Sequence, residues 1–177
     1  MVLSRRDGVH AMAAAILAAL AWSLSAGLGP SRVQAQAQND HLIVPRERIG
    51  GAALGKTTAE LIDMLGDPVS VWPGSVYTYN WRDVSATVTK DGWYATQICT
   101  SNPAYATGQG VHTGSSTATV DTLMGQPRYS RIFRGWWRQS YTNLYWPGLL
   151  VSIHLKGFDT DNQVWKICVN HSAAIPP

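Results

Sequence analysis

Between residues 76 and 169 the apolar and polar positions mostly alternate in short runs, the period of half-buried strands. Val76–Trp81 puts Tyr77, Tyr79 and Trp81 on one face. Val84–Lys90 groups Val84, Ala86 and Val88, and Asp91-Gly92 makes a hairpin turn into Trp93–Thr100. Later, Leu149, Val151, Ile153 and Leu155 alternate with Leu150, Ser152 and His154, and turn residues 157–162 lead into Gln163–Val169. A helical period replaces the alternation twice. After Thr57, a capping residue with Glu60 three positions on, Leu61, Met64 and Leu65 share a helix face. Gly66 ends that helix and Pro68 prevents its resumption. After Ser116 the same plan recurs with Val120, Leu123 and Met124, then Gly125 and Pro127.

The recurrence is one of sequence as well as of period. Leu54–Pro68 aligns with Thr113–Pro127 at a constant offset of 59, pairing Gly55 with Gly114, Ala59 with Ala118, Gly66 with Gly125 and Pro68 with Pro127. Ile98-Cys99 aligns with Ile167-Cys168 at an offset of 69, so the second copy holds about ten extra residues in its middle. The pattern predicts an α+β fold: a tandem repeat in which each copy is a short helical segment packed on a three- to four-stranded antiparallel sheet. The expected organisation is an N-terminal extended segment at 38–48, repeat 1 at 49–100, a crossing segment at 101–108, repeat 2 at 109–170 and a tail at 171–177. A copy of this size is marginal alone, so the two copies are expected to pack on each other.

The N-terminus bears on compartment. Ser4-Arg5-Arg6, an apolar run from Ala11 to Gly29 and Ala35-Gln36-Ala37 follow the order of a signal peptide spanning residues 1–37. The paired arginines suit a twin-arginine signal, whereas Asp7-Gly8-Val9-His10 suits it poorly, so Sec export stays open. The expectation is an exported protein, periplasmic or secreted, with no stable membrane insertion once the signal is removed. Removal also changes the charge. The whole chain is formally +3, and Arg5, Arg6, Arg32 and Asp7 take two of those charges away, leaving +1. That is too little to displace counterions from nucleic acid, which is not expected as a partner.

The two cysteines, in an exported chain, read as a disulfide. Strand parity puts Cys99 and Cys168 on the sheet face away from the helices, at equivalent positions of the two copies. Equivalent positions meet only near a pseudo-twofold axis, so a Cys99–Cys168 bond would staple the two last strands side by side. The scattered histidines at 41, 112, 154 and 171 give no metal-site spacing, and no metal or other cofactor is expected.

The unit of cap, helix, Leu-Gly-x-Pro and meander resembles the SmpA/OmlA (BamE-like) envelope domain, and its duplication in an exported chain resembles the β-lactamase inhibitory protein architecture. The residues that carry this are Gly55, Glu60, Leu65-Gly66-Asp67-Pro68, Tyr79 and Ile98, with Gly114, Met124-Gly125-Gln126-Pro127 and Ile167 in the second copy. The resemblance spans residues 49–169. It implies a scaffold that binds proteins through its sheets. The lipidation cysteine of the envelope lipoproteins is missing, and one cysteine per copy does not reproduce the inhibitor's disulfide plan.

Catalytic signals are weak. Gly50–Thr57 meets the Walker A pattern, but Val44-Pro45-Arg46-Glu47-Arg48-Ile49 before it is no buried strand, so a turn ahead of a helix is the preferred reading. Ser115-Ser116 beside His112 reads as helix capping. Asp159 and Asp161 read as turn residues, and Asn170-His171-Ser172 as a chance triplet. No catalytic residue is expected.

The functional signal is compositional. Arg131–Tyr141, followed by Tyr145-Trp146, falls in the expansion of the second copy and combines Trp, Tyr and Arg, the residues that dominate interface hot spots. The expected binding residues are Arg134, Trp136, Trp137, Arg138, Tyr141, Tyr145 and Trp146. They imply a non-catalytic protein that binds a protein partner and could act as an inhibitor of a secreted or periplasmic enzyme. A structural cell-envelope assembly protein is the second reading. A small-ligand carrier or small enzyme with a cleft between the repeats is the third.

Overall fold

A computed structural model describes residues 40–91, 93–134, 140–156 and 162–171, all within one compact unit, Ala37–Pro177. Twelve strands and two helices are assigned among them, in the order β1 (Leu42–Val44), β2 (Arg48–Ile49), β3 (Ala52–Ala53), α1 (Thr58–Leu65), β4 (Ser70–Trp72), β5 (Tyr77–Asn80), β6 (Val84–Val88), β7 (Ala95–Thr100), β8 (Ala106–Thr107), α2 (Thr117–Met124), β9 (Tyr129–Arg134), β10 (Ser140–Trp146), β11 (Leu149–Lys156) and β12 (Val164–Asn170).

The strands form two sheets, one of eight strands in the order β4-β5-β6-β7-β12-β11-β10-β9 and one of four in the order β3-β2-β1-β8. This overturns the α+β expectation of two copies, each with a helix on its own three- to four-stranded sheet. Strands dominate, the two helices have eight residues each, and β7 and β12 hydrogen-bond to each other so that one sheet runs through the molecule. The physical reason is the edge: β7 or β12 left unpaired would expose a full row of backbone donors and acceptors, and their antiparallel pairing removes both edges at once.

The helices are set by their caps. Thr57 Oγ1 accepts from Glu60 N at 3.3 Å and Glu60 Oε2 accepts from Thr57 N at 2.8 Å, the reciprocal capping box. Ser116 Oγ accepts from Thr119 N at 3.2 Å, with no acid to reciprocate. Gly66 and Gly125 close the two helices at φ of 80° and 67°, a backbone region costly for side-chain-bearing residues.

One core lies on one face of the large sheet. It joins Leu61 of α1 and Val120 of α2 to Val84, Ala86, Ile98, Leu144, Val151, Ile153, Ile167 and Val169, and it includes Ile43, Ile49 and Ala52 of the small sheet. The segment read as no buried strand is thus the hairpin β1–β2, whose Ile43 and Ile49 are fully buried. Parallel pairing of β1 with β8 ties this hairpin to the crossing segment. The hairpin also reaches β10–β11, where Arg46 N donates to Gly148 O at 3.2 Å. Gly148 has φ of 77°, and a Cβ there would collide with the Arg46 side chain and backbone.

The opposite face of the sheet carries a second, smaller cluster of Cys99, Leu150 and Cys168, with Tyr145 packed against it. Cys99 and Cys168 sit directly opposite each other in the β7–β12 register and form a disulfide, with their Cα atoms 4.0 Å apart. The bond joins the two halves of the large sheet across their seam, and Gln97 Nε2 donates to Asn170 Oδ1 at 2.9 Å beside it.

Candidate functional site

The pairing registers locate the extra residues of the second half. Equivalent positions are 59 apart at Val71 and Ser130, 65 apart at Tyr79 and Leu144, and 69 apart at Cys99 and Cys168. Six residues therefore lengthen the β9–β10 hairpin and four lengthen the β11–β12 turn. The expansion is divided between two neighbouring hairpins instead of lying in one segment. Both extend the sheet at the same end.

At that end the face away from α1 and α2 carries a row of rings. Phe133 of β9 stacks on Tyr141 of β10, with centroids 5.0 Å apart and planes 11° apart. Tyr141 meets Trp165 of β12 edge-on at 6.1 Å, and His154 of β11 stacks on Trp165 at 5.2 Å. Cations cap the row: the Arg131 guanidinium lies 5.2 Å from the Phe133 centroid, and Lys166 Nζ lies 4.7 Å from that of Trp165. Burial holds the Lys166 ammonium below its ordinary pKa. Tyr129 and Tyr145, 5.6 Å apart, continue the aromatic surface toward the disulfide.

Trp165 reaches this row because the backbone bulges. Ser152 pairs with Lys166 and Ile153 with Val164, which leaves Trp165 as the extra residue. Strict alternation along Gln163–Val169 would place Trp165 with Ile167 and Val169 on the core face, but it fails at the bulge, and Trp165 shares the open face with Lys166. Thr96, 69 residues earlier, occupies the equivalent bulge in β7.

Of the residues singled out in the sequence, Tyr141 stands in the ring row and Tyr145 beside the disulfide. Arg134 is exposed at the end of β9, opposite Ser140. Trp146 does not belong to this surface: it packs against the main core, as strand parity with Leu144 requires. Trp136, Trp137 and Arg138 lie outside the described residues. Arg131, Phe133, His154, Trp165 and Lys166 were not singled out as site residues. The period-two spacing Arg131-Phe133 and Tyr141-Asn143-Tyr145 was a signal for a two-stranded ladder with rings on one face.

The strands of the large sheet contain no Asp or Glu. Every charged residue in them, Arg131, Arg134, Lys156 and Lys166, lies in β9–β12, and all four are cationic. The open face of β4–β7 instead presents Thr78, Asn80, Ser85, Thr87 and Gln97, with the exposed Trp72 at its outer edge. That outer strand, β4, has only three residues, too short an edge to template extended pairing.

The weaker candidates have structural duties. Lys56 Nζ bonds Glu60 Oε1 at 2.7 Å, and Arg48–Ile49 and Ala52–Ala53 around Gly50-Gly51 form an antiparallel hairpin, so the Walker-like segment lacks the parallel strand a phosphate loop follows. The His112 ring bonds Thr113 O at 2.7 Å, Ser115 Oγ accepts from His112 N at 3.1 Å, and Ser116 caps α2. Among the described residues no three His, Cys, Asp or Glu side chains gather as metal ligands, and no helix is long and apolar enough to cross a membrane.

No protein-family model matches the chain, and no curated protein matches it. Among solved structures, it is similar to an extracellular protein containing an SCP domain from Bacillus anthracis (12% identity, 69% of this chain and 45% of that one, TM-score 0.45). It is also similar to the DUF4309 family protein YjgB from Bacillus subtilis (11% identity, 78% and 95%, TM-score 0.45). A third is the cysteine-rich secretory protein SAV1118 from Staphylococcus aureus (12% identity, 71% and 47%, TM-score 0.46). The chain spans about half the length of the first and third.

Proposed function

We propose that this is an exported, non-catalytic binding protein that docks a protein partner on the ring row of β9–β12. The observation that carries the reading is a preassembled set of half-exposed aromatics, flanked by Arg131 and Lys166, on strands without a single acidic residue. Stacked rings lose little side-chain entropy when a partner covers them, and a basic frame selects a partner surface that is acidic around an apolar centre. His112, Ser115 and Ser116 are committed to local backbone bonds, which supports binding over catalysis.

Export rests on the signal-like N-terminus and agrees with the Cys99–Cys168 disulfide, which persists in oxidising compartments. The compartment is the periplasm or the exterior, reached by twin-arginine or Sec export. Nucleic acid, a membrane and a resident cofactor have no part in this reading. Inhibition of an exported enzyme is the form of binding that the resemblance to the inhibitory architecture favours. The test is affinity capture from the native envelope and secretome. Capture of one stoichiometric acidic protein, lost in Arg131→Glu, is expected. Capture of small molecules only, or capture indifferent to Arg131→Glu, would overturn the reading.

A further inference from the structure

At the seam of the open face, next to the ring row, lies an open recess of about 170 Å³. It is lined by Asn80 and Ser85 from the first half, by Arg82 and Asp83 in the β5–β6 turn, by Ser101, and by Lys166 from the second half. The recess continues the line of rings, because Lys166 both lies over Trp165 and faces this lining.

The charges in it do not balance. Among the described residues Asp83 is its one acid, and Asp83 Oδ1 already accepts from Asn102 Nδ2 at 2.7 Å. Neither Lys166 nor Arg82 has a carboxylate partner among the described residues. Lys166 is half-buried, and its ammonium lies over the indole face of Trp165, a partly desolvated cation whose natural complement is an anion. The Ser85 and Ser101 hydroxyls add neutral polar groups of the kind that complete a carboxylate's hydrogen bonding, and Asn80, whose Nδ2 donates to Ser70 Oγ at 3.2 Å, also lines the recess.

We propose that this recess is a carboxylate-binding site that takes an Asp or Glu side chain of the partner docked on the neighbouring rings. The inference rests on the protein-docking reading and deepens it: the rings supply contact area, and the Lys166–Arg82 recess fixes the register of the partner along the seam. The disulfide holds the two halves of the recess together, since Cys99 also lines it.

The test is an NMR titration of the isotope-labelled protein, as processed by an exporting cell and with the disulfide intact. The probes are acetyl-Ala-Glu-Ala-amide, its Gln counterpart and inorganic phosphate. The Glu peptide is expected to give saturable shifts at the Lys166 Cε methylene and the Ser85 and Ser101 amides, and added salt should weaken them. Lys166→Gln should weaken binding about tenfold or more, the worth of one charge-assisted bond. Arg82→Gln, in an exposed turn, gives the same reading should Lys166→Gln misfold. Equal shifts with the Gln peptide, no saturation, or saturation by phosphate alone would overturn the assignment. If the Glu peptide binds but no protein is captured, the docking reading fails and the pocket stands. If Lys166→Gln captures a partner undiminished, the pocket fails and docking stands.

Discussion

The protein has two aromatic ladders, and they lie on opposite faces of one sheet. In the first half, Trp93, Tyr77, Tyr79 and Trp81 follow one another at centroid distances of 5.6, 6.5 and 6.2 Å, with Lys90 over Tyr77. They run along β5 on the face that the helices cover. The inner end is core: Trp81 is 9% exposed, and its Nε1 donates to Gly66 O at 2.7 Å, where α1 ends. In the second half Phe133, Tyr141, Trp165 and His154 cross the strands on the opposite face, away from α1 and α2. Similar residues therefore do different work. A ladder that locks a helix to a sheet is spent on folding, whereas one that stands away from both helices is where the proposed partner would dock.

That difference can be broken by substitution. Trp81→Ala should cost about 3–5 kcal/mol, the range for deleting a buried large aromatic, and should also strand the Gly66 carbonyl. Tyr141→Ala should cost about 1 kcal/mol or less, as for a half-exposed residue outside the core. Urea unfolding of the two variants under oxidising conditions measures both, and equal losses would erase the distinction between the ladders.

Removing the staple between the halves has the next largest effect. Cys99→Ala with Cys168→Ala frees a closed loop of 69 residues in the unfolded chain, worth about 4 kcal/mol in the loop-entropy model. The β7–β12 hydrogen bonds remain, so the double variant should melt at lower temperature as one cooperative unit. Two separated transitions would show instead that the halves are joined chiefly by the disulfide.

The smallest contrast lies in the helix caps. Hydrogen bonds from Lys56 and then Thr57 hold the Glu60 carboxyl at a pKa of about 2, against an ordinary 4.5. A depressed carboxyl contributes stability that is fully present above the unfolded-state value near 4.5 and is lost as pH falls through about 2. At the equivalent place in α2 stands Thr119, which does not titrate in this range. Glu60→Gln should flatten the acid limb of the stability curve, and Thr119→Val should leave its shape unchanged. Unfolding followed between pH 5 and pH 2 distinguishes them.

What could be read from the residues was what local chemistry dictates. Thr57, Ser116, Gly66 and Gly125 announce their caps because capping needs those residue types at those spacings. Cys99 and Cys168 found each other by strand parity and the equivalence of their positions. The rest depended on contacts between distant segments. Parallel pairing of Leu42 with Ala106 leaves no period in either stretch, so the small sheet was missed. One bulge residue turns a side chain to the other face, and this moved Trp165 from the expected core face into the ring row. The offsets 59 and 69 counted the inserted residues, but only the pairing of Tyr79 with Ala86 and Leu144 with Val151 showed that they enter two hairpins.

The central claim is that the open face binds along the ring row and the adjoining seam, and that the hydroxyl surface of the first half around Thr87, away from the seam, does not. Its most direct test is the affinity of the captured partner for two variants on that one face, Tyr141→Ala in the ring row and Thr87→Ala in the hydroxyl half. The account expects about a tenfold to hundredfold loss for Tyr141→Ala, as for a hot-spot aromatic, and no change for Thr87→Ala. Equal affinities, or a loss confined to Thr87→Ala, would contradict it.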